Sequence, residues 1–320
     1  MTNVVEVVGV NKIYRRWRRP AQHAVRDLDL QVDRGGVFGF LGPNGSGKTT
    51  TIRLLLGLAR ADSGSMKLLG RSVPDELPQV IGRIGSLVET PLFFPNFSGR
   101  QNLSLLAQAS RIPEARVEEM LELVDLRERA GDRVKAYSLG MKQRLGIAAA
   151  LLKNPELLIL DEPGNGLDAA GIREIRELIV RLGGSGVTVL LSSHQLSEVQ
   201  QVCDRVAIMS KGQVIAAGSV ADLVRSGSSG DFRVRVDDPA GLGRAALERH
   251  GFSVTAEVDH LRVGGVQDPA RVTQALAQAS LYLSELTPIA ADLESVFLQI
   301  TGDEEAAPSG THSTRPREAS

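Results

Sequence analysis

The sequence predicts an α/β domain followed by a small α+β domain, and three observations carry that prediction. The first two-thirds of the chain alternate short apolar runs with amphipathic stretches of helical period, as strands covered by helices require. The glycine-rich segment Gly42 to Thr49 falls between one such run and one such stretch. Around Ser226-Gly227-Ser228-Ser229-Gly230 the composition turns small and polar, as in a linker, and periodic patterning resumes beyond it.

Taken in order, Val37-Phe38-Gly39-Phe40-Leu41 is apolar throughout and predicts a buried strand, with a helix following from Thr49 to Leu58. A polar, helix-rich region runs from about Asn102 to Leu152. Leu157-Leu158-Ile159-Leu160 and Val187-Thr188-Val189-Leu190-Leu191 predict two more buried strands. Past the linker, Phe232-Arg233-Val234-Arg235-Val236 alternates like a half-buried strand, and Gly243 to His250 is helical in pattern. A hairpin is expected over Ser253 to Val263, and a helix opens at Asp268-Pro269, where proline suits the first helical position. Leu293, Val296, Phe297 and Ile300 fall at i, i+3, i+4 and i+7, one apolar face of a final helix. The expected organisation is therefore a first domain over 1–225, an accessory domain over 226–302 and a disordered tail over 303–320, where acidic residues, Pro, Ser and Thr follow no period.

The 320 residues are 42% hydrophobic and 23% charged, ordinary for a chain that buries a core. A net charge of −1 offers no whole-chain field to attract nucleic acid or anionic lipid. One cysteine, Cys203, excludes an intramolecular disulfide and reads as a packed small side chain. No stretch approaches the ~18–20 consecutive apolar residues of a membrane span. Met1-Thr2-Asn3-Val4 lacks the basic start of a secretory signal. The chain is expected to stay inside the cell, and any role at a membrane then needs a partner.

Chemistry concentrates in the first domain. Gly42-Pro43-Asn44-Gly45-Ser46-Gly47-Lys48-Thr49 is a full G-x-x-x-x-G-K-[ST] P-loop between a strand and a helix. Its glycines let successive N–H groups turn toward phosphate oxygens. Lys48 adds a point charge for the β- and γ-phosphates, the Thr49 hydroxyl can ligate Mg²⁺, and Thr50 completes the nucleotide-binding set. The apolar run ending Leu160-Asp161-Glu162-Pro163 delivers two adjacent carboxylates to a strand's carboxyl edge, where α/β ligands sit. Asp161 suits the Mg²⁺ shell, and Glu162 suits orienting and polarising an attacking water.

Between those motifs, Tyr137-Ser138-Leu139-Gly140-Met141-Lys142-Gln143-Arg144 resembles the signature of the ATP-binding cassette (ABC) ATPases. Gly166-Leu167-Asp168 resembles that family's D-loop, and Ser192-Ser193-His194 its switch histidine. Tyr14 stands where the family's adenine-stacking aromatic is found, and Glu89, in Leu87-Val88-Glu89-Thr90-Pro91, where its Q-loop glutamine is found. The resemblance covers about Val4 to Leu223. It implies a P-loop NTPase cassette with a mixed-sheet core and a helical subdomain. In its finer features, the Asp-Glu-Pro-x-Asn-Gly-Leu-Asp run and the ending Asp292-Leu293-Glu294-Ser295-Val296-Phe297, the chain is similar to the drug- and antibiotic-exporter subgroup (bacitracin- and daunorubicin-resistance type).

The resemblance implies ATP and Mg²⁺ as ligands, catalysis by Glu162 and His194, and metal contacts from Thr49, Asp161 and Glu89. Ser138, Leu139, Gly140 and Met141 are expected to meet the γ-phosphate held by a second copy, with Asp168 communicating across the pair. Implied partners are an integral membrane permease and a second nucleotide-binding subunit, as a homodimer at the cytoplasmic face of the membrane, with no nucleic acid. The sequence departs from the family pattern at Leu139, Met141, Glu89 and Gly164. A carboxylate at position 89 can still ligate through oxygen. Pro91-Leu92-Phe93-Phe94-Pro95-Asn96-Phe97 is either core packing under a loop or, as in the family, a surface for the membrane subunit. Arg15-Arg16-Trp17-Arg18-Arg19 reads as a solvated hairpin tip. Two rival functions remain at this level: a soluble ABC ATPase acting on ribosome or chromosome, and a subunit that senses nucleotide without turnover. The first usually carries a second cassette or a coiled-coil insertion, and the chain has neither; intact Glu162 and His194 argue against the second.

Overall fold

In a computed structural model of the chain, residues 3–15, 20–89, 91–226, 230–238, 241–289 and 292–306 are described, the side chains of 302–306 excepted. The chain opens with two long strands, β1 (Asn3–Tyr14) and β2 (Gln22–Asp33), followed by β3 (Val37–Leu41) and α1 (Lys48–Leu55). Next come β4 (Ser63–Leu68), β5 (Arg71–Val73) and β6 (Ile84–Leu87). Three helices, α2 (Gly99–Ala109), α3 (Glu114–Leu123) and α4 (Leu139–Leu151), form the expected helix-rich region. Then β7 (Leu157–Asp161), α5 (Ala169–Gly184), β8 (Thr188–Ser193), α6 (Leu196–Val199), β9 (Arg205–Ser210), β10 (Gln213–Ser219) and α7 (Val220–Ser226) follow.

These elements make two sheets. One is antiparallel, in the order β2-β1-β4-β5; the other runs β10-β9-β3-β8-β7-β6 and is parallel except for the β9–β10 hairpin. One apolar core cluster joins the two sheets and α1, and includes Val5, Val7, Leu28 and Leu30 of the first sheet, Ile52 and Leu55 of α1, and Phe40, Ile159 and Leu190 of the second. Every residue of β3, β7 and β8 is buried, as parallel strands covered on both faces require. Because β3, β7 and β8 are parallel neighbours, their carboxyl ends share one edge. The three motifs that follow those strands therefore meet there.

Helix α1 stops at Leu55, short of the expected Leu58. Gly57 takes a left-handed conformation, φ 69°. The Leu58 and Gly57 amides donate back to the carbonyls of Arg53 and Leu54, at 2.9 and 3.0 Å, the paired bonds of a Schellman ending. At the other end of the helical region, Ser98 and Gln101 form a reciprocal capping box that starts α2. Cys203 is buried, and that burial pushes its thiol pKa well above the ordinary range, as a packed small side chain would show. Residues 16–19 of the basic segment around Trp17 lie outside the described residues.

The chain divides into units Met1–Val220 and Ala221–Ser320, the division falling at the start of α7 rather than at its end. The second unit contains β11 (Phe232–Val236), α8 (Leu242–Arg249), β12 (Ser253–Ala256), β13 (Leu261–Gly264), α9 (Pro269–Gln278), β14 (Leu283–Pro288) and α10 (Leu293–Ala306). Its sheet is antiparallel in the order β12-β13-β11-β14, which with the βαββαβ sequence is the ferredoxin-like split topology. Val234, Leu247, Val263, Val272 and Leu276 form its own core. Asp268 caps α9 through the Ala270 amide at 2.9 Å, with Pro269 in the first helical position. In α10, Leu293 and Val296 are buried and Phe297 and Ile300 half-buried, the face the spacing predicts. The helix continues to Ala306, so the first residues assigned to a tail extend it, while 307–320 lie outside the described residues, as do 227–229 of the linker.

Candidate nucleotide-binding site

The P-loop leaves β3 and enters α1 through three glycines with positive φ: Gly42 at 150°, Gly45 at 81° and Gly47 at 111°. At Gly42 a Cβ would collide with the Met209 carbonyl oxygen, and at Gly47 with that of Ala24. Glycine is thus demanded twice over, by backbone conformation and by the closeness of neighbouring chain. The loop curls around Lys48, whose ammonium donates to the Gly42 carbonyl at 2.7 Å and the Pro43 carbonyl at 3.3 Å. Lys48 is 5% exposed. The buried Ser46 hydroxyl has no hydrogen-bond partner among the described residues.

Opposite the loop, β7 ends in Asp161, and the chain turns at once through Glu162, whose φ is 51°. The Glu162 carboxylate is shared by two groups. Lys48 Nζ is 3.1 Å from Oε1, and His194 Nδ1, from the end of β8, is 2.6 Å from Oε2. His194 follows a turn in which the Gln195 amide donates to Ser193 Oγ at 3.0 Å. Asp161 is buried and takes a hydrogen bond from Ser192 Oγ. Three strand ends thus converge on one carboxylate from positions far apart in sequence.

Beside this cluster lies a cavity of about 380 Å³, lined by Asn44, Gly45, Gly47, Lys48, Thr49 and Thr50 of the loop, with Glu162 and Tyr14. The Tyr14 ring also carries Lys12 Nζ 5.5 Å from its centroid. Gln22, Ala24, Arg53 and Asn165 complete the lining. Arg53 had a readable signal, since it lies four residues beyond Thr49 on the same helix. Gln22 and Ala24 come from β2 and carry no motif.

The remaining predicted site residues lie elsewhere. Ser138 caps α4, its hydroxyl accepting from the Met141 amide at 3.2 Å, and Leu139 is exposed. The signature segment sits beside the Gly166-Leu167 turn: a Cβ on Gly166 would lie 3.2 Å from Leu139 Cδ2, and one on Gly140 3.8 Å from Leu167 Cδ2. None of Ser138, Leu139, Gly140 and Met141 lines the cavity of its own chain. Asp168 caps α5 through the Gly171 amide at 2.9 Å. Glu89 has a φ of 64° and pairs with Arg53 instead of lining the cavity. A Cβ on Gly164 would lie 3.8 Å from Glu198 Oε2 and 4.0 Å from Ile172 Cγ1, ordinary contact distances at which a side chain fits. The aromatic segment is not core: Leu92 is 98% exposed, Phe94 61% and Phe97 42%, with the two rings 5.4 Å apart.

Comparison with known proteins agrees with this geometry. A family model described as ABC transporter matches residues 25–165. An uncharacterised ABC transporter ATP-binding protein of Bacillus subtilis is 38% identical over 305 residues, 95% of this chain and 97% of that one. The bacitracin transport ATP-binding protein of Bacillus licheniformis is 43% identical over 217 residues, 67% of this chain and 69% of that one. A daunorubicin resistance ATP-binding protein of Streptomyces coeruleorubidus is 37% identical over 291 residues, 88% of this chain and 92% of that one. Among solved structures, the ATP-binding subunit of an ABC transporter superposes with a TM-score of 0.60 at 30% identity, over 70% of this chain and 92% of that one. A dimeric ABC cassette in a post-hydrolysis state, bound to ADP and Pi, shares the fold with a TM-score of 0.60 at 24% identity, over 67% of this chain and 98% of that one. With a glycine-cradled lysine and a carboxylate shared between that lysine and a histidine at the edge of a cassette sheet, and with a relative aligned along nearly its whole length, this chain belongs to the ABC transporter family, as an ATP-binding subunit.

Proposed function

We propose that this chain hydrolyses ATP to power a membrane exporter of drugs, antibiotics or other amphipathic compounds, working as a homodimer on the cytoplasmic face of the membrane. One observation carries the catalytic part. Glu162 meets both Lys48 and His194 at the wall of the phosphate cavity, so the candidate base, the phosphate-binding cation and the switch histidine act on one point. Export rests on the relatives named for bacitracin transport and daunorubicin resistance. Among the described residues no helix is long and apolar enough to cross a membrane, so a permease must supply the path. The exposed Leu92, Phe94 and Phe97 are a fitting contact for it.

The donor set fits a nucleotide with Mg²⁺. The orphaned Ser46 hydroxyl and the P-loop amides suit phosphate oxygens. Among the described residues no group of three or more His, Cys, Asp or Glu could hold a metal unaided. A magnesium site built from Thr49, Asp161, phosphate oxygens and water is the kind that such a donor set makes. When bound, Mg²⁺ offsets charge on the β- and γ-phosphates. Lys48 does the same from the loop. Glu162 takes the proton side of the attacking water, and His194 orients that carboxylate through Nδ1. Tyr14 offers its face to the base. The γ-phosphate is completed in the dimer by Ser138 and Gly140 of the second copy, through the N-terminus of α4.

Glu162→Gln keeps the shape and removes the base. ATP turnover should fall by about 10²–10⁴, while an ATP-bound dimer accumulates, read by light scattering beside steady-state phosphate release. Wild-type turnover in this variant rejects the assignment of Glu162.

A further inference from the structure

The Ser192 hydroxyl sits where no motif assigns a role. It is fully buried at the end of β8 and lies directly across the parallel pairing from Asp161. Its proton goes to Asp161 Oδ1 at 2.5 Å, and its oxygen accepts the Glu162 amide at 3.0 Å. That amide also points at the Ser192 carbonyl, 3.2 Å away. With one proton to give, a hydroxyl that accepts from an N–H must donate to the carboxylate, so its orientation is fixed.

Two consequences follow from this bridge. Among the described residues no other side chain donates to Asp161, so the hydroxyl is the one side-chain hydrogen bond that orients this buried carboxylate. Glu162 occupies a left-handed conformation, φ 51°, that a residue with a side chain holds only when its surroundings impose it. The Ser192 hydroxyl is one of the two groups gripping its amide. One side chain therefore fixes both the carboxylate next to the metal position and the backbone from which the catalytic carboxylate projects.

We propose that Ser192 is a positioning residue for hydrolysis, acting through Asp161 and Glu162 without touching nucleotide. The inference rests on the assignment of those two carboxylates above. In the full-length chain, Ser192→Ala should lower kcat about tenfold or more while KM for ATP stays within about twofold. The Mg²⁺ concentration for half-maximal rate should rise. Away from turnover, the gain in fluorescent TNP-ATP affinity on going from EDTA to Mg²⁺ should shrink, with affinity in EDTA unchanged. Ser192→Thr, which keeps the hydroxyl, should recover the rate to within about threefold of wild type at an unchanged thermal midpoint. Glu162→Gln is run in parallel. If it abolishes turnover while Ser192→Ala keeps the wild-type kcat and Mg²⁺ dependence, the positioning role is wrong and the carboxylate assignment stands. If Glu162→Gln itself turns over normally, the assignment fails and this inference with it. A Ser192→Ala defect that appears equally in EDTA binding and in thermal midpoint, and that Thr does not rescue, shows packing alone and also overturns the proposal.

Discussion

Glu156 shows what a single side chain does for the frame that holds the site. Its carboxylate pairs with Arg83 through one oxygen and with Arg34 through the other, the latter at 2.8 Å. Hydrogen bonds from Arg83 first and Arg34 second pull its pKa from the ordinary 4.5 to about 2. The folded chain therefore releases this proton more readily than the unfolded one. The contribution to stability is complete above pH 4.5 and disappears as pH falls toward 2. With a third of the side chain exposed, solvent screening keeps the effect modest. Glu156→Gln should lower the thermal midpoint at pH 7, and its difference from wild type should close between pH 4.5 and 2, followed by calorimetry across that range.

At the scale of elements, Asp168 is held by two claims. Its carboxylate caps α5 through the Gly171 amide, and the family resemblance gives it a role across the dimer. The claims separate by substitution. Asp168→Ala should cost about 1 kcal/mol of stability, whereas Asn, also a good cap, should retain most of it. Both should slow ATP hydrolysis if the dimer role holds, so urea denaturation and phosphate release are measured on the same two variants. What was legible at this scale follows the same division between local and distant chemistry. Strands β3, β7 and β8 are short apolar runs and α1 follows a fixed motif, so each is readable from a few consecutive residues. Strands β1 and β2 are long but their mutual register shifts between Val7 and Val10 and again before Lys12, which breaks the alternation that marks a strand. The end of α1 was missed because Leu56 and Leu58 prolong the apolar pattern past Gly57. The positions of Gln22, Ala24 and Ser192 at the site depend on which strands neighbour which. The pairing of Arg53 with Glu89 was equally out of reach, since it joins α1 to a loop after β6.

For the whole molecule, the division into two units, each with buried apolar residues of its own, is the governing fact. The cassette core and the core around Val263 and Leu276 have no buried residue in common. Leu276→Ala, at a fully buried position, should remove about 2–5 kcal/mol from the second unit. Affinity for ATP should stay within about twofold. Guanidinium unfolding read by circular dichroism, set beside nucleotide titration, checks both; a matching loss of ATP affinity would mean that the two cores melt as one.

The position of Ser138 outside the cavity of its own chain has a genetic consequence. Under the proposed dimer, each chain lends α4 to its neighbour's nucleotide. Two different crippled chains can then complement one another. A chain with Lys48→Ala and a chain with Ser138→Arg are each inactive alone, because every site in either homodimer carries one defect. When they pair, both defects fall in the same site and the other site is wild type. Random mixing in equal amounts should restore about a quarter of the wild-type hydrolysis, since half the dimers are mixed and each has one good site of two. If α4 served its own chain's nucleotide, no mixture would recover anything. By the same count, a cell that expresses one healthy and one damaged allele keeps about half of the wild-type hydrolysis, since each mixed dimer retains one good site of two.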